Sequence, residues 1–205
     1  MKKIPTLFVR VFENHKLVGI TPEVTPGFGW VLAGEGEATV KWDGSCTAVF
    51  DGKYYKRFDA KKGKTPPAGA IPCCDPDPTT GHWPHWVEVD PGKAEDKWYV
   101  EAYNNTPPVV FEQWPSLTYE AVGPHFQGNP YNLMQDILFP HGVHEIPDEN
   151  FEGGKRTFES IRKLLQDHRI EGIVFWKDGQ PQCKIKRTDF GIEWPVKWEE
   201  KGAAE

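Results

Sequence analysis

A lysine attacks an electrophile only when its amine is neutral, so a reactive lysine needs burial or neighbouring cations that lower its pKa. Lys41 is the first candidate. It stands in Val40–Val49, V-K-W-D-G-S-C-T-A-V, just ahead of Asp43-Gly44 and followed by strand-forming residues. Asp-Gly is also common turn material, and an ordinary solvated lysine before a turn has the same neighbours. The segment alone leaves both readings open.

Suitable neighbouring charges come from near the far end of the chain. I-E-G-I-V-F-W (170–176) and P-Q-C-K-I-K-R (181–187) flank the turn K-D-G-Q. A two-residue turn at Asp178-Gly179 predicts a hairpin whose cross-strand partners sum to 357, with Glu171 opposite Lys186 and Ile173 opposite Lys184. Alternation then puts Glu171, Lys184 and Lys186 on one face. One carboxylate and two ammonium groups make either a charged pocket or an exposed face of cross-strand ion pairs, each contributing about 0–1 kcal/mol.

The elements that must position these residues are mostly strands. T-L-F-V-R-V-F (Thr6–Phe12) alternates as a strand, and Pro22–Gly36 reads mostly as loop. Two β-rich runs around Asp51-Gly52, S-C-T-A-V-F and K-Y-Y-K-R-F, predict a hairpin. A Pro-rich excursion occupies about 61–97, long enough to be functional or mobile. Lys97–Tyr103, Val109–Phe111 and Leu117–Val122 read as further strands. The one clear helix is Thr157–Arg169, with Phe158, Ile161, Leu164 and Leu165 on one face and Thr157 as its cap.

The 205 residues fit one domain, and 19 Pro and 20 Gly favour a strand-and-turn protein over a helical bundle. A net charge of −6 argues against nonspecific coating of nucleic acid, while the cations of Lys2–Lys3 and Lys53–Lys64 leave room for a local basic groove. No apolar run approaches the roughly 20 residues of a membrane span, and no signal-peptide pattern opens the sequence. Four cysteines make no disulfide framework at this length, so a reducing, cytoplasmic setting is expected.

Order along the chain decides between the readings of Lys41. K-W-D-G at 41–44 is followed by R-F-D from Arg57, Y-E-A-V-G around Glu120, E-G-I-V from Glu171, and K-I-K at 184–186. This ordered set resembles the covalent nucleotidyltransferase superfamily of RNA ligases, DNA ligases and mRNA-capping enzymes. More narrowly, I-P-T-L-F-V-R, T-G-H-W-P-H-W-V, K-W-Y-V-E-A and Y-E-A-V-G-P-H-F-Q-G-N-P-Y look similar to a small family of 5′-to-3′ RNA ligases with a vertebrate member. The resemblance spans about residues 4–190.

That resemblance implies an α+β, sheet-rich nucleotidyltransferase (ATP-grasp-like adenylation) domain of antiparallel sheets with few helices, covering residues 1–205. It implies ATP as substrate, Mg²⁺ or Mn²⁺ as cofactor, RNA 3′-hydroxyl and 5′-phosphate ends as partners, and a monomer. Lys41 would be the nucleophile that becomes lysyl-AMP. Arg57, Glu120, Glu171, Lys184 and Lys186 would bind the nucleotide, and Asp43 and Glu171 the metal. Lys184 and Lys186 would depress the pKa of Lys41 and neutralise phosphate charge.

Two departures stand out. Val40 occupies the position before the nucleophile, where RNA ligases often carry Glu; Glu37 is the nearby acid. The sequence also stops soon after K-I-K, with no room for the C-terminal OB domain of DNA ligases and capping enzymes, which weakens the DNA-nick and GTP-using alternatives. A catalytically silent nucleic-acid-binding module would not need the nucleophile. Cys73, Cys74, His82 and His85 raise zinc, but they lack a C-x2-C pair. His141 and His144 can flank a substrate path, though the simpler reading is histidines satisfied within a loop, and Trp83, Trp86, Trp98 and Trp114 can stack bases or pack a core.

Overall fold

The computed structural model describes residues 3–61, 64–113 and 117–196; Lys2, Lys62 and Trp114 lie outside them. The chain forms two main antiparallel sheets. Strands β1 (Phe8–Glu13) and β2 (Lys16–Val24) make a separate hairpin and lead to the short helix α1 (Gly29–Leu32). β3 (Glu37–Lys41) belongs to a three-stranded sheet ordered β11-β10-β3, completed by β10 (Gly172–Lys177) and β11 (Gln180–Lys186). β4 (Ser45–Phe50), β5 (Lys53–Ala60), β6 (Ile71–Pro72), β7 (Trp83–Glu88), β8 (Thr118–Val122) and β9 (Ile137–Pro140) form a six-stranded sheet ordered β6-β7-β5-β4-β8-β9.

Alternation gives each sheet one face packed on an apolar core with helices and one face turned to the site, which on the six-stranded sheet also buries Ala48, Tyr55 and Trp86. In the three-stranded sheet, Ala38, Ile173, Phe175, Cys183 and Ile185 face a core completed by Ile161, Leu164 and Leu165 of α4 (Phe158–Asp167). Burying each such Leu or Ile contributes roughly 1.5–3 kcal/mol over leaving it in water. Thr157 caps α4 as expected: its hydroxyl accepts from Ser160 N–H at 3.1 Å, and Ser160 Oγ accepts from Thr157 N–H at 2.8 Å. In the six-stranded sheet, Val49, Tyr119, Ala121 and Leu138 pack against α2 (Lys97–Asn105) and α3 (Pro108–Gln113). The two faces turned away from these cores are the ones that build the site.

The hairpins at Asp51-Gly52 and Asp178-Gly179 form as predicted, with positive φ at all four turn residues. The register of the second differs from expectation. Near the turn, Trp176 pairs with Pro181, but Phe175 pairs with Cys183, leaving Gln182 as a β-bulge. Beyond the bulge, Ile173 faces Ile185, Val174 faces Lys184, and Gly172, not Glu171, faces Lys186.

Other expectations are corrected too. Lys97–Tyr103 and Val109–Phe111 are helical: Trp98, Tyr99, Ala102 and Tyr103 repeat at helical spacing and bury one stripe, which outweighs their strand-favouring composition. Pro22–Gly36 is mostly turn and loop as expected, interrupted by the end of β2 and by α1, and β1–β2 turns at Asn14-His15, both at positive φ. The 61–97 excursion contains β6 and β7, and Trp86 is buried where β7 pairs with β5.

Candidate active site

Lys41 ends β3, and Trp42–Gly44 carry the chain from the three-stranded sheet into β4 of the six-stranded one. This crossing is pinned at each residue. Trp42 stacks on Phe139 with centroids 4.3 Å apart and meets Tyr131 and His144 edgewise. Asp43 donates its N–H to Tyr131 Oη at 2.6 Å, and its Oδ2 accepts from Trp194 Nε1 at 2.7 Å. Gly44 donates to Glu120 Oε1 at 3.1 Å, and a Cβ here would lie 2.1 Å from the Ala121 carbonyl oxygen. Only glycine lets β4 and β8 approach this closely.

On the three-stranded sheet, Lys41 and Lys186 flank Gly172 across the ladder. Glu171, just before β10, bonds Lys41 Nζ through Oε2 and sets Oε1 3.7 Å from Lys186 Nζ. One register step away, Thr39, Val174 and Lys184 align on the same face. The N-terminal segment borders this edge: Leu7 N–H donates to the Lys184 carbonyl at 2.8 Å, and Lys184 N–H to the Pro5 carbonyl at 3.0 Å. Beyond β11, buried Arg187 is tied to the carbonyls of Leu165 and His168, anchoring the strand to α4.

Burial shapes the charges. It pushes the Glu171 carboxyl above its ordinary range, opposed by Lys41 and reinforced by the nearby Asp43 carboxylate. It lowers Lys184 to about 8, with Lys41 and Lys186 adding like-charge repulsion. The expected cation cluster thus exists, and Lys184 is depressed within it.

The six-stranded sheet supplies the opposite wall. Arg57 donates from Nε to Asp59 Oδ1 at 2.7 Å, and Glu120 accepts on Oε2 from His141 Nε2 at 2.9 Å. His141 Nδ1 lies 2.9 Å from Thr118 Oγ1. Between the sheets lies a cavity of about 550 Å³ whose walls include Lys41, Lys184, Trp176, Arg57, Glu120 and His141. Trp176 is fixed by donating from Nε1 to Thr39 Oγ1 at 2.8 Å.

Lys41, Arg57, Glu120 and Lys184 therefore line one cavity, and Glu171 and Lys186 adjoin it through Lys41. Asp43 stands beside them, held by Trp194. Glu37 is exposed at the other end of β3 and forms no part of the wall. Within the Lys53–Lys64 cluster three described cations are each paired with a carboxylate: Lys53 with Glu88, Lys56 with Asp96 on the α2 side, and Arg57 with Asp59 on the cavity side. Sequence reasoning missed Trp176 as a wall and left His141 undecided. The parity of Trp176 with Val174 and of His141 with Phe139 was the available signal.

No protein-family model matches the chain. It is similar to RNA ligase 1 of Danio rerio, with 29% identity over 143 residues, covering 57% of this chain and 43% of that protein. RNA ligase 1 of Pongo abelii and of Mus musculus are each 27% identical over 143 residues, again covering 57% of this chain. The match spans less than half the length of each of these relatives. By sequence, the chain is a relative of proteins named RNA ligase 1.

Proposed function

We propose that this chain is an ATP-dependent RNA ligase of the nucleotidyltransferase type, with Lys41 as its nucleophile. One observation carries the reading: Lys41, gripped by Glu171 and grouped with Lys184 and Lys186, faces a cavity whose other wall holds Arg57 and Glu120. A face of solvated ion pairs would have no such cavity in front of it. The relatives named RNA ligase 1 support RNA as the substrate class.

In this reading the Lys41 amine attacks the α-phosphorus of ATP, the N–P bond forms, and the bond to pyrophosphate breaks. Glu171, already bonded to Nζ and raised by burial, is the group placed to take the ammonium proton. Lys184 and Lys186 stabilise charge on the phosphates, and Arg57 can grip one of them. Glu120 recognises the ribose, with His141 and the Gly44 N–H orienting its carboxylate. AMP then passes to an RNA 5′-phosphate and leaves when a 3′-hydroxyl attacks.

Asp43 and Glu171 would hold a hard divalent cation: both are oxygen donors, and the Asp43 carboxylate lies near enough to raise Glu171. Mg²⁺ or Mn²⁺ bound there would neutralise the leaving pyrophosphate. Among the described residues no helix is long and apolar enough to cross a membrane. The same reading has the chain act as a cytoplasmic monomer.

The test is incubation with α-labelled ATP and Mg²⁺, followed by mass spectrometry. One AMP on Lys41, absent from Lys41→Ala, is expected; an adduct elsewhere or preferential labelling by GTP refutes the assignment. Ligation should require RNA 3′-hydroxyl and 5′-phosphate ends, slow with a deoxy 3′-terminus, and weaken with salt. Equal rates on all-DNA nicks would favour a DNA ligase instead.

A further inference from the structure

Cys46, Glu120 and His141 occupy adjacent positions on the six-stranded wall of the cavity. Cys46 lies directly opposite Glu120 in the β4–β8 ladder, and His141 follows β9, which pairs with β8 on its other side. One sulfur, one imidazole nitrogen and one carboxylate oxygen from these residues all fall within 4.8 Å of one another. Cys73, Cys74, His82 and His85, the zinc candidates of the sequence, form no such group among the described residues. Trp83 and His85 are instead bonded to local backbone, to the Cys74 and Trp83 carbonyls.

We propose that Cys46, Glu120 and His141 form a site for one borderline divalent cation of the Zn²⁺ class. Thiolate with imidazole selects such an ion over Mg²⁺, and three protein ligands leave a fourth position open to water from the cavity. Metal–ligand bonds of about 2.0–2.3 Å set tetrahedral ligand separations of about 3.3–3.6 Å, so closure needs only small side-chain rotations. On binding, the S–H bond breaks, its proton leaves to solvent, and a sulfur–metal bond forms. The proton that His141 Nε2 shares with Glu120 moves through solvent to Nδ1, the His141–Glu120 hydrogen bond is replaced by two bonds to the ion, and no electron is transferred. Thr118 Oγ1, 2.9 Å from His141 Nδ1, would then accept from that nitrogen and fix the tautomer with Nε2 free to ligate. Burial pushes the Cys46 thiol up to about 12, which keeps it protonated until an ion displaces the proton, while Arg57 opposes that rise.

With Oε2 on the ion, Glu120 is not free to take a ribose, so the ion and the nucleotide compete for this wall and the site is tested on the nucleotide-free chain. Titrating the full chain with Co²⁺, an optical stand-in for Zn²⁺, should produce a thiolate-to-cobalt charge-transfer band that saturates at one ion per chain. The band should survive excess Mg²⁺ and vanish on adding Zn²⁺. Cys46→Ser should abolish it, and His141→Ala should weaken Co²⁺ affinity at least about 100-fold, beyond the roughly 10–100-fold cost of disturbing an outer-shell partner. A Cys73→Ser/Cys74→Ser double variant should keep the band. That result assigns it to Cys46 even if Cys46→Ser fails to fold, because the remaining Cys183 is fully buried in the core. Absence of a band, its displacement by Mg²⁺, or its loss in the double variant would overturn the proposal.

Discussion

Replacing Lys184 with Met should make the protein more stable and the proposed enzyme worse. Burial, then Lys41 and Lys186, hold Lys184 at about 8 against an ordinary 10.5. That gap, at 1.36 kcal/mol per pH unit, corresponds to about 3 kcal/mol of folding stability given up to keep this ammonium charged near pH 7. The sign follows from proton counts. Below pH 8 the group is protonated in both states and the full cost applies. Between about pH 8 and 10.5 the folded chain binds fewer protons than the unfolded one, so stability rises; above that range the cost is gone. Met keeps the buried stem and leaves the backbone bonds to Pro5 and Leu7 untouched. Urea unfolding at pH 7 should show Lys184→Met more stable by up to about 3 kcal/mol, with the difference shrinking towards zero near pH 10.5. Single-turnover adenylation should fall about 10²-fold, the scale for removing one preorganised charge at a reacting centre. A variant no more stable at pH 7, or a gap that does not close at high pH, would refute the electrostatic reasoning. Normal adenylation would refute the role.

Glu171→Gln removes the carboxylate that Lys41 and Lys186 share and that raises Lys184, so the rise of stability with pH should start below pH 8 and adenylation should drop about 10²-fold, as pH-resolved unfolding and single-turnover labelling will show. Gly172→Ala places a Cβ 2.2 Å from the Ile185 carbonyl oxygen, which should cost about 1–3 kcal/mol or more in denaturant unfolding; an unchanged midpoint would mean β10 and β11 are not this close. Thr157→Ala breaks the capping box of α4 and should lower stability by about 1 kcal/mol with adenylation unchanged, measured by thermal unfolding and labelling together.

The sequence showed strands where its turn chemistry was explicit. Asp51-Gly52 and Asp178-Gly179 announce their hairpins, whereas Asn14-His15 turns β1 into β2 without a glycine to mark it. Helix α4 was readable because capping and apolar spacing agreed; α2 was not, because its aromatic residues favour strands in isolation. The order of the motifs pointed to residues that the fold gathers around one cavity, but not to their geometry. Simple counting across Asp178-Gly179 aligns Lys184 with Ile173, whose side chain faces the core. The bulge at Gln182 moves Lys184 and Lys186 onto the Lys41 face, and a bulge has no distinctive residue type to betray it. Asp43 and Glu120 were found as letters in motifs; their partners Tyr131, Trp194 and His141 lie far along the chain, where no spacing rule reaches.

The division of strands between the two sheets also bears on the order in which the molecule can be assembled during synthesis. Every strand of the six-stranded sheet lies between Ser45 and Pro140, so that sheet can pair before the last part of the chain has left the ribosome. The other sheet cannot: β3 bonds residues 144–146 along one edge but, among the described residues, ladders with a strand only at β10, and Lys41 meets Glu171 across 130 residues of sequence. Closing so long a loop is slow compared with forming a local hairpin. Lys41 is therefore expected to sit on a strand held only by its edge bonds to residues 144–146, without its carboxylate or its neighbouring ammonium groups, until β10 and β11 emerge. Nascent chains truncated before Glu171 should contain the wall bearing Arg57 and Glu120 yet hold Lys41 as an ordinary solvated amine. The charged group around Lys41 then assembles as one of the last events of folding.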